Sequence, residues 1–151
     1  MSIVVGYASS AASRRALSVA ATLATDLGVR LHVVHVVDLR DYPVDPELPD
    51  WERQGADRLA AERAEVDALL ADWPGDWSYD LQRGDPARAL AAIATREQAR
   101  MIVVGSRAAR SVALEWLGGG LRSVPHALER ADVPVLVVPD HSTDKGHSPD
   151  R

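Results

Sequence analysis

The chain has 151 residues, 46% hydrophobic and 26% charged, with 10 Gly and 9 Pro, which is the make-up of one globular domain whose core needs no metal or disulfide staple. Cysteine is absent and Lys145 is the only lysine, which excludes thiol chemistry, Cys-ligated metal centres and any mechanism built on a core lysine. A formal net charge of -5 argues against a nucleic-acid or anionic-membrane partner, and with no Phe, four Trp and three Tyr the core has to be aliphatic.

Short β-branched runs alternate with segments of helical period. Ile3 to Tyr7 reads as a first strand, opening with no basic stretch or cleavable apolar segment, so a cytoplasmic protein is expected. From Ala11 to Asp26 the residues Ala12, Ala16, Val19, Ala20 and Leu23 recur at helical spacing, and Gly28 is the expected stop. Leu31 to Val37 predicts a second strand. His32 and His35 differ by three, so they point to opposite faces and read as packed or edge histidines rather than metal ligands.

Asp38 to Asp50, broken by Pro43, Pro46 and Pro49, reads as an acidic surface loop. Its irregular carboxylates lack the glycine turn and terminal glutamate of a calcium loop. Trp51 to Asp72 predicts a helix with Leu59, Val66, Leu69 and Leu70 on its apolar stripe and its charges mostly on a solvated face. Trp77 to Leu81 alternates as a third strand. Asp85 and Pro86 have the chemistry of a helix cap and first helical residue, with the helix running on to Gln98. Met101 to Val104 is a fourth, apolar strand ending at Gly105, and Pro134 to Val138 a fifth. Between them lie a glycine-containing loop and a helix expected from about Ser123 to Arg130. Residues 140 to 151 lack an apolar stripe and read as a polar tail behind a domain of residues 1 to 139.

Strands separated by helical segments predict an α/β fold, a parallel sheet with helices on both faces. The non-alternating apolar character of strands one, four and five predicts burial on both faces. Ligands of such sheets sit at the carboxyl ends of strands where the winding reverses, which directs attention to residues 6 to 10 and 104 to 123.

There the sequence resembles a known family. Ile3-Val4-Val5-Gly6-Tyr7-Ala8-Ser9-Ser10 with Ser13 to Leu17, the strand His32 to Val37, Gly84-Asp85-Pro86-Ala87, Met101 to Arg107 and Val133 to Val138 together resemble, in order, the universal stress protein family. The resemblance implies a five-stranded parallel sheet of order 3-2-1-4-5, Rossmann-like, commonly dimerised along its last strand. Many members bind ATP; others with an incomplete motif do not.

The family's nucleotide motif is a glycine after the fourth strand, a second glycine three residues on, then nine residues, a third glycine and a Ser or Thr. Gly105 matches the first, Ala108 replaces the second, Gly118 follows the nine residues Ala109 to Leu117, and Gly119 stands where the hydroxyl belongs. The acidic residue that ATP-binding members carry after the first strand falls at Ala8. A methyl at 108 hinders close backbone approach to phosphate, and the lost hydroxyl and carboxylate remove a neutral and a charged hydrogen-bonding group, worth roughly 0.5–1.5 and 1.5–3 kcal/mol. Against this, Gly118-Gly119-Gly120 can form an anion-binding nest, Arg107 and Arg110 bring positive charge, and Ser123 lies near a helix start.

Two readings of this segment stay open, a phosphate site and a solvated loop with no ligand, as does a second alignment that places Ser123 at the family's Ser-containing turn. The candidate nucleotide residues are therefore Gly6, Tyr7, Ala8, Val36, Val104, Gly105, Arg107, Ala108, Gly118, Gly119, Gly120 and Ser123, with ATP bound weakly. Val133, Val135, Leu136 and Val137 form the edge expected to pair in a homodimer. No P-loop, acidic receiver cluster or nucleophile elbow occurs, and no nucleophile is assembled with a base, so no enzymatic role is expected. Two function classes follow: a nucleotide-responsive stress module acting on a protein partner, or a nucleotide-free dimeric scaffold.

Overall fold

Ser2–Tyr7 forms β1, every residue of it buried, because the strand lies at the centre of a parallel sheet and has helices over both faces. The structure, a computed structural model, describes residues 1–37, 47, 49–106 and 133–140. In chain order the elements are β1, α1 (Ala11–Leu27), β2 (Arg30–Val37), α2 (Trp51–Leu69), β3 (Trp77–Arg83), α3 (Pro86–Arg96), β4 (Ala99–Gly105) and β5 (Val135–Val138). The strand order is β3-β2-β1-β4-β5, all neighbours parallel, as the resemblance implied.

Side-chain alternation along the strands divides the interior into two cores. Ile3, Val5, Tyr7, Leu31, Val33 and Val103 pack with Ala16, Leu17, Ala20 and Ala24 of α1 and Val66 of α2. Val4, Val34, Ile102 and Val104 pack on the opposite face with Ala87, Leu90, Ile93 and Ala94 of α3. The alanines of α1 let the helix lie close to the sheet, and the closest approach is at Gly105. A Cβ there would come within 2.8 Å of the Ala12 backbone carbon. The expected punctuation is present. Ser10 accepts from the Ser13 N–H to cap α1, Gly28 ends it in the left-handed region at φ 64°, and Asp85 caps α3 through the Ala87 N–H with Pro86 first in the helix.

Three expectations need correction. β5 is not buried on both faces: Leu136 and Val137 are 39% and 49% exposed, because the strand is only four residues long and lies at the sheet's end. α2 stops at Leu69 rather than Asp72, and Leu69 faces outward. The helix instead buries Gly55, Glu62 and Val66, so one of its charges is buried rather than solvated. α3 ends at Arg96, and Gln98 takes a positive φ of 50° in the turn into β4. The expected helix near residues 123 to 130, the loop 106 to 123 beyond Ser106, most of the acidic loop and the tail after Asp140 lie outside the described residues. No helix among the described residues is long and apolar enough to cross a membrane.

Candidate functional site

The winding of the sheet reverses between β1 and β4, because the connections through α1 and α2 step one way from β1 and the connection through α3 returns to β4 on its other side. The carboxyl ends of these two strands are therefore the switch point of the sheet, the place where ligands of such folds sit. Gly6 and Val104 line the α3 side of this end. Both are buried, and a Cβ on Gly6 would come within 3.2 Å of Val104 Cγ1 and 3.3 Å of Leu90 Cδ1. Val36, near the end of β2, is half-buried against the same core. Gly105 sits against Ala12 in the first turn of α1. The structure thus brings Gly6, Tyr7, Ala8, Val104 and Gly105 together at one end of the sheet, with Val36 on the adjoining strand. Arg107, Ala108, Gly118, Gly119, Gly120 and Ser123 lie outside the described residues.

The turn from β1 into α1 is tight and internally bonded. The Ala8 carbonyl accepts from the Ser10 N–H at 2.7 Å and the Ala8 N–H donates to Ser13 Oγ at 3.1 Å, leaving the Ala8 methyl exposed. No acidic residue lies in the first turn of α1, so the positive end of its dipole is uncompensated by its own sequence.

That compensation comes from α2. Glu65 Oε2 accepts from Ser9 Oγ at 3.0 Å and Glu65 Oε1 accepts from Arg14 Nη1 at 2.7 Å. The Arg14 hydrogen bond holds the Glu65 carboxyl below its ordinary value, with burial opposing, so it is ionised at neutral pH. Below it Tyr7 is only 3% exposed, and its Oη makes no hydrogen bond of standard geometry, with the Glu65 carboxylate as the acceptor that acts on it. Burial, reinforced by the Glu65 carboxylate, pushes the Tyr7 hydroxyl well up, so it stays protonated.

The two histidines of β2 do point to opposite faces. His35 Nε2 lies 3.0 Å from Glu62 Oε2 and Nδ1 lies 3.0 Å from Tyr79 Oη, beneath α2. Nε2–H donating to the carboxylate and Nδ1 accepting from the phenol satisfy the neutral ring, and burial lowers the His35 pKa despite the Glu62 charge. His32 lies against Ser78 and Glu97 on the other face, its pKa also lowered by burial. Each histidine therefore ties a flanking segment to the sheet.

Sequence reasoning missed both Glu62 and Glu65. They sit among alternating charges that look uniformly solvated, and nothing local distinguishes the two that turn inward. The available signal was negative: no carboxylate occurs between Tyr7 and Arg14, so an acidic group at this end of β1 had to come from elsewhere in the chain.

Parallel order β3-β2-β1-β4-β5 with a switch point between β1 and β4 defines a doubly wound, Rossmann-like α/β protein. The model of the universal stress protein family matches residues 1–139. A universal stress protein of Thermus aquaticus is 34% identical over 137 residues, covering 90% of this chain and 96% of that protein. The chain belongs to the universal stress protein family. Among solved structures, a universal stress protein in complex with cAMP has a TM-score of 0.65 at 23% identity, over 93% of this chain and 98% of that one. An Archaeoglobus fulgidus universal stress protein in complex with dAMP has a TM-score of 0.61 at 23% identity, over 91% of this chain and 97% of that one. These likenesses establish the fold.

Proposed function

We propose that this stress-response protein is a nucleotide-responsive module that binds an adenine nucleotide weakly at the carboxyl ends of β1 and β4. The observation that carries the reading is the topology: the winding reverses between β1 and β4, the place where ligands of such sheets sit, on a fold whose solved neighbours include complexes with cAMP and dAMP. ATP is the expected ligand by family resemblance, and occupancy changes the surface offered to a protein partner in the cytoplasm. Hydrolysis is incidental, and the role is not enzymatic. Affinity is low because Ala8, Ala108 and Gly119 depart from the family pattern. The protein works as a homodimer joined along β5, a reading supported by the strand's place at the sheet's end and by its exposed Leu136 and Val137.

The second reading is a nucleotide-free dimeric scaffold. It is favoured by the filling of the β1 end with the Tyr7 ring and with the bonded Ser9, Arg14 and Glu65 side chains. Calorimetric titration of the purified chain with ATP, ADP and AMP, together with ultraviolet absorbance of the supernatant after denaturation, tests both. Saturable binding supports the module, whereas no heat and no co-eluting nucleotide support the scaffold.

A further inference from the structure

We propose that Glu65, carried in from α2, is a ligand-recognising residue of the β1 end, accepting hydrogen bonds from the neutral donor groups of the bound nucleotide: its ribose hydroxyls or its exocyclic amine. The inference rests on the nucleotide reading above and assigns a role to a residue far from the strand ends in sequence.

Position is the first argument. Glu65 is bonded to Ser9 and Arg14, which belong to the β1–α1 connection and the start of α1, at the carboxyl end of β1 where the winding reverses. Preorganisation is the second. An ionised carboxylate offers about four acceptor sites; Ser9 and Arg14 occupy two and the Tyr7 hydroxyl lies beside the group, which fixes it while leaving acceptor capacity free. Its side chain remains 26% accessible, so a ligand can reach it.

The third argument is the hydroxyl beneath it. Tyr7 Oη is almost fully buried and makes no hydrogen bond of standard geometry, although a buried hydroxyl is ordinarily bonded. The group beside it is the Glu65 carboxylate, which acts on it as an acceptor. A ligand hydroxyl that donates to Glu65 and accepts from Tyr7 would satisfy both groups. The described residues of the β1–α1 turn, Ala8 to Ser13, hold no carboxylate that could do this instead.

The experiment is a calorimetric titration of the full-length wild-type chain and Glu65→Gln with ATP, 2′,3′-dideoxy-ATP and inosine triphosphate. Melting by circular dichroism confirms that the near-isosteric variant folds. Glu65→Gln is expected to weaken ATP binding about tenfold or more. The wild-type advantage should vanish for the analogue lacking the recognised donor: the dideoxy compound if Glu65 holds the ribose, the inosine compound if it holds the amine. Equal ATP affinity of the two proteins overturns the inference alone. So does a loss of the same size for all three ligands, which would mean that Glu65 only fastens α2. Failure of the wild type to bind any of the three refutes the nucleotide reading and this inference with it.

Discussion

Replacing Gly105 with alanine tests whether the close packing of α1 on β4 is what shapes the candidate site. The added methyl would lie 2.8 Å from the Ala12 carbonyl carbon, 2.9 Å from its oxygen and 3.0 Å from its Cβ. Two of these are backbone atoms, fixed by the hydrogen bonds of a 17-residue helix, so no side chain can rotate out of the way. Relief requires the start of α1 to move off the sheet, and overpacking of this kind costs about 1–3 kcal/mol. In a chain of this length that lowers Tm by roughly 2–4 °C per kcal/mol. Gly6→Ala supplies the internal comparison. Its methyl meets Val104 Cγ1 at 3.2 Å and Leu90 Cδ1 at 3.3 Å, ends of side chains that can shift, so the loss should be about 1 kcal/mol or less. Urea unfolding followed by circular dichroism should rank the midpoints wild type, Gly6→Ala, Gly105→Ala. A Gly105→Ala midpoint equal to wild type, or above that of Gly6→Ala, would refute the argument that backbone contact at Gly105 sets the helix position.

Four further outcomes are expected. Val135→Lys or Val137→Lys should shift the chain toward monomer in sedimentation experiments, and unchanged association of both variants would remove β5 as the dimer edge. Ala8→Asp, Ala108→Gly and Gly119→Ser together should strengthen ATP binding by more than about tenfold, an increment of about 1.4 kcal/mol, if the site is impaired rather than filled; no change in a titration would favour the scaffold. Within that set, Ala8→Asp should contribute more in a Glu65→Gln background than in the wild type, since one carboxylate would then replace another. Burial lowers the pKa of His35 and His32 from the ordinary 6.5, so the folded chain binds fewer protons there than the unfolded chain. Stability is then full above pH 6.5 and declines as the pH falls below it. Tm should drop between pH 7.5 and 5.5, and His35→Gln, which keeps a donor for Glu62, should flatten the decline. A wild-type Tm that holds or rises over that interval would contradict the assignment.

Most of the sheet was legible from local chemistry. Runs such as Ile3-Val4-Val5 and Ile102-Val103-Val104 can be satisfied only by burial on both faces, and Ser10, Gly28, Asp85 and Pro86 mark helix ends through rules that act within a few residues. The strand order was supplied by the resemblance, because βα alternation by itself is compatible with other windings. For the candidate site, the sequence placed Gly6, Tyr7, Val104 and Gly105 at strand ends, and the structure brought those ends together. The opposite orientations of His32 and His35 likewise follow from strand alternation alone.

Tertiary structure decided which charges matter. Glu62 and Glu65 look no different in sequence from Glu52 or Asp57, yet one is buried against His35 and the other spans 56 residues of chain to reach Ser9. It also left β5 half open, since Leu136 and Val137 are as apolar as the residues of β1 and differ only in having no strand beyond them among the described residues. Apolar pattern reports what a segment can bury, which is a local property of the side chains. Whether a neighbour arrives to bury it, or to pair its charge, depends on contacts between segments that are remote in sequence.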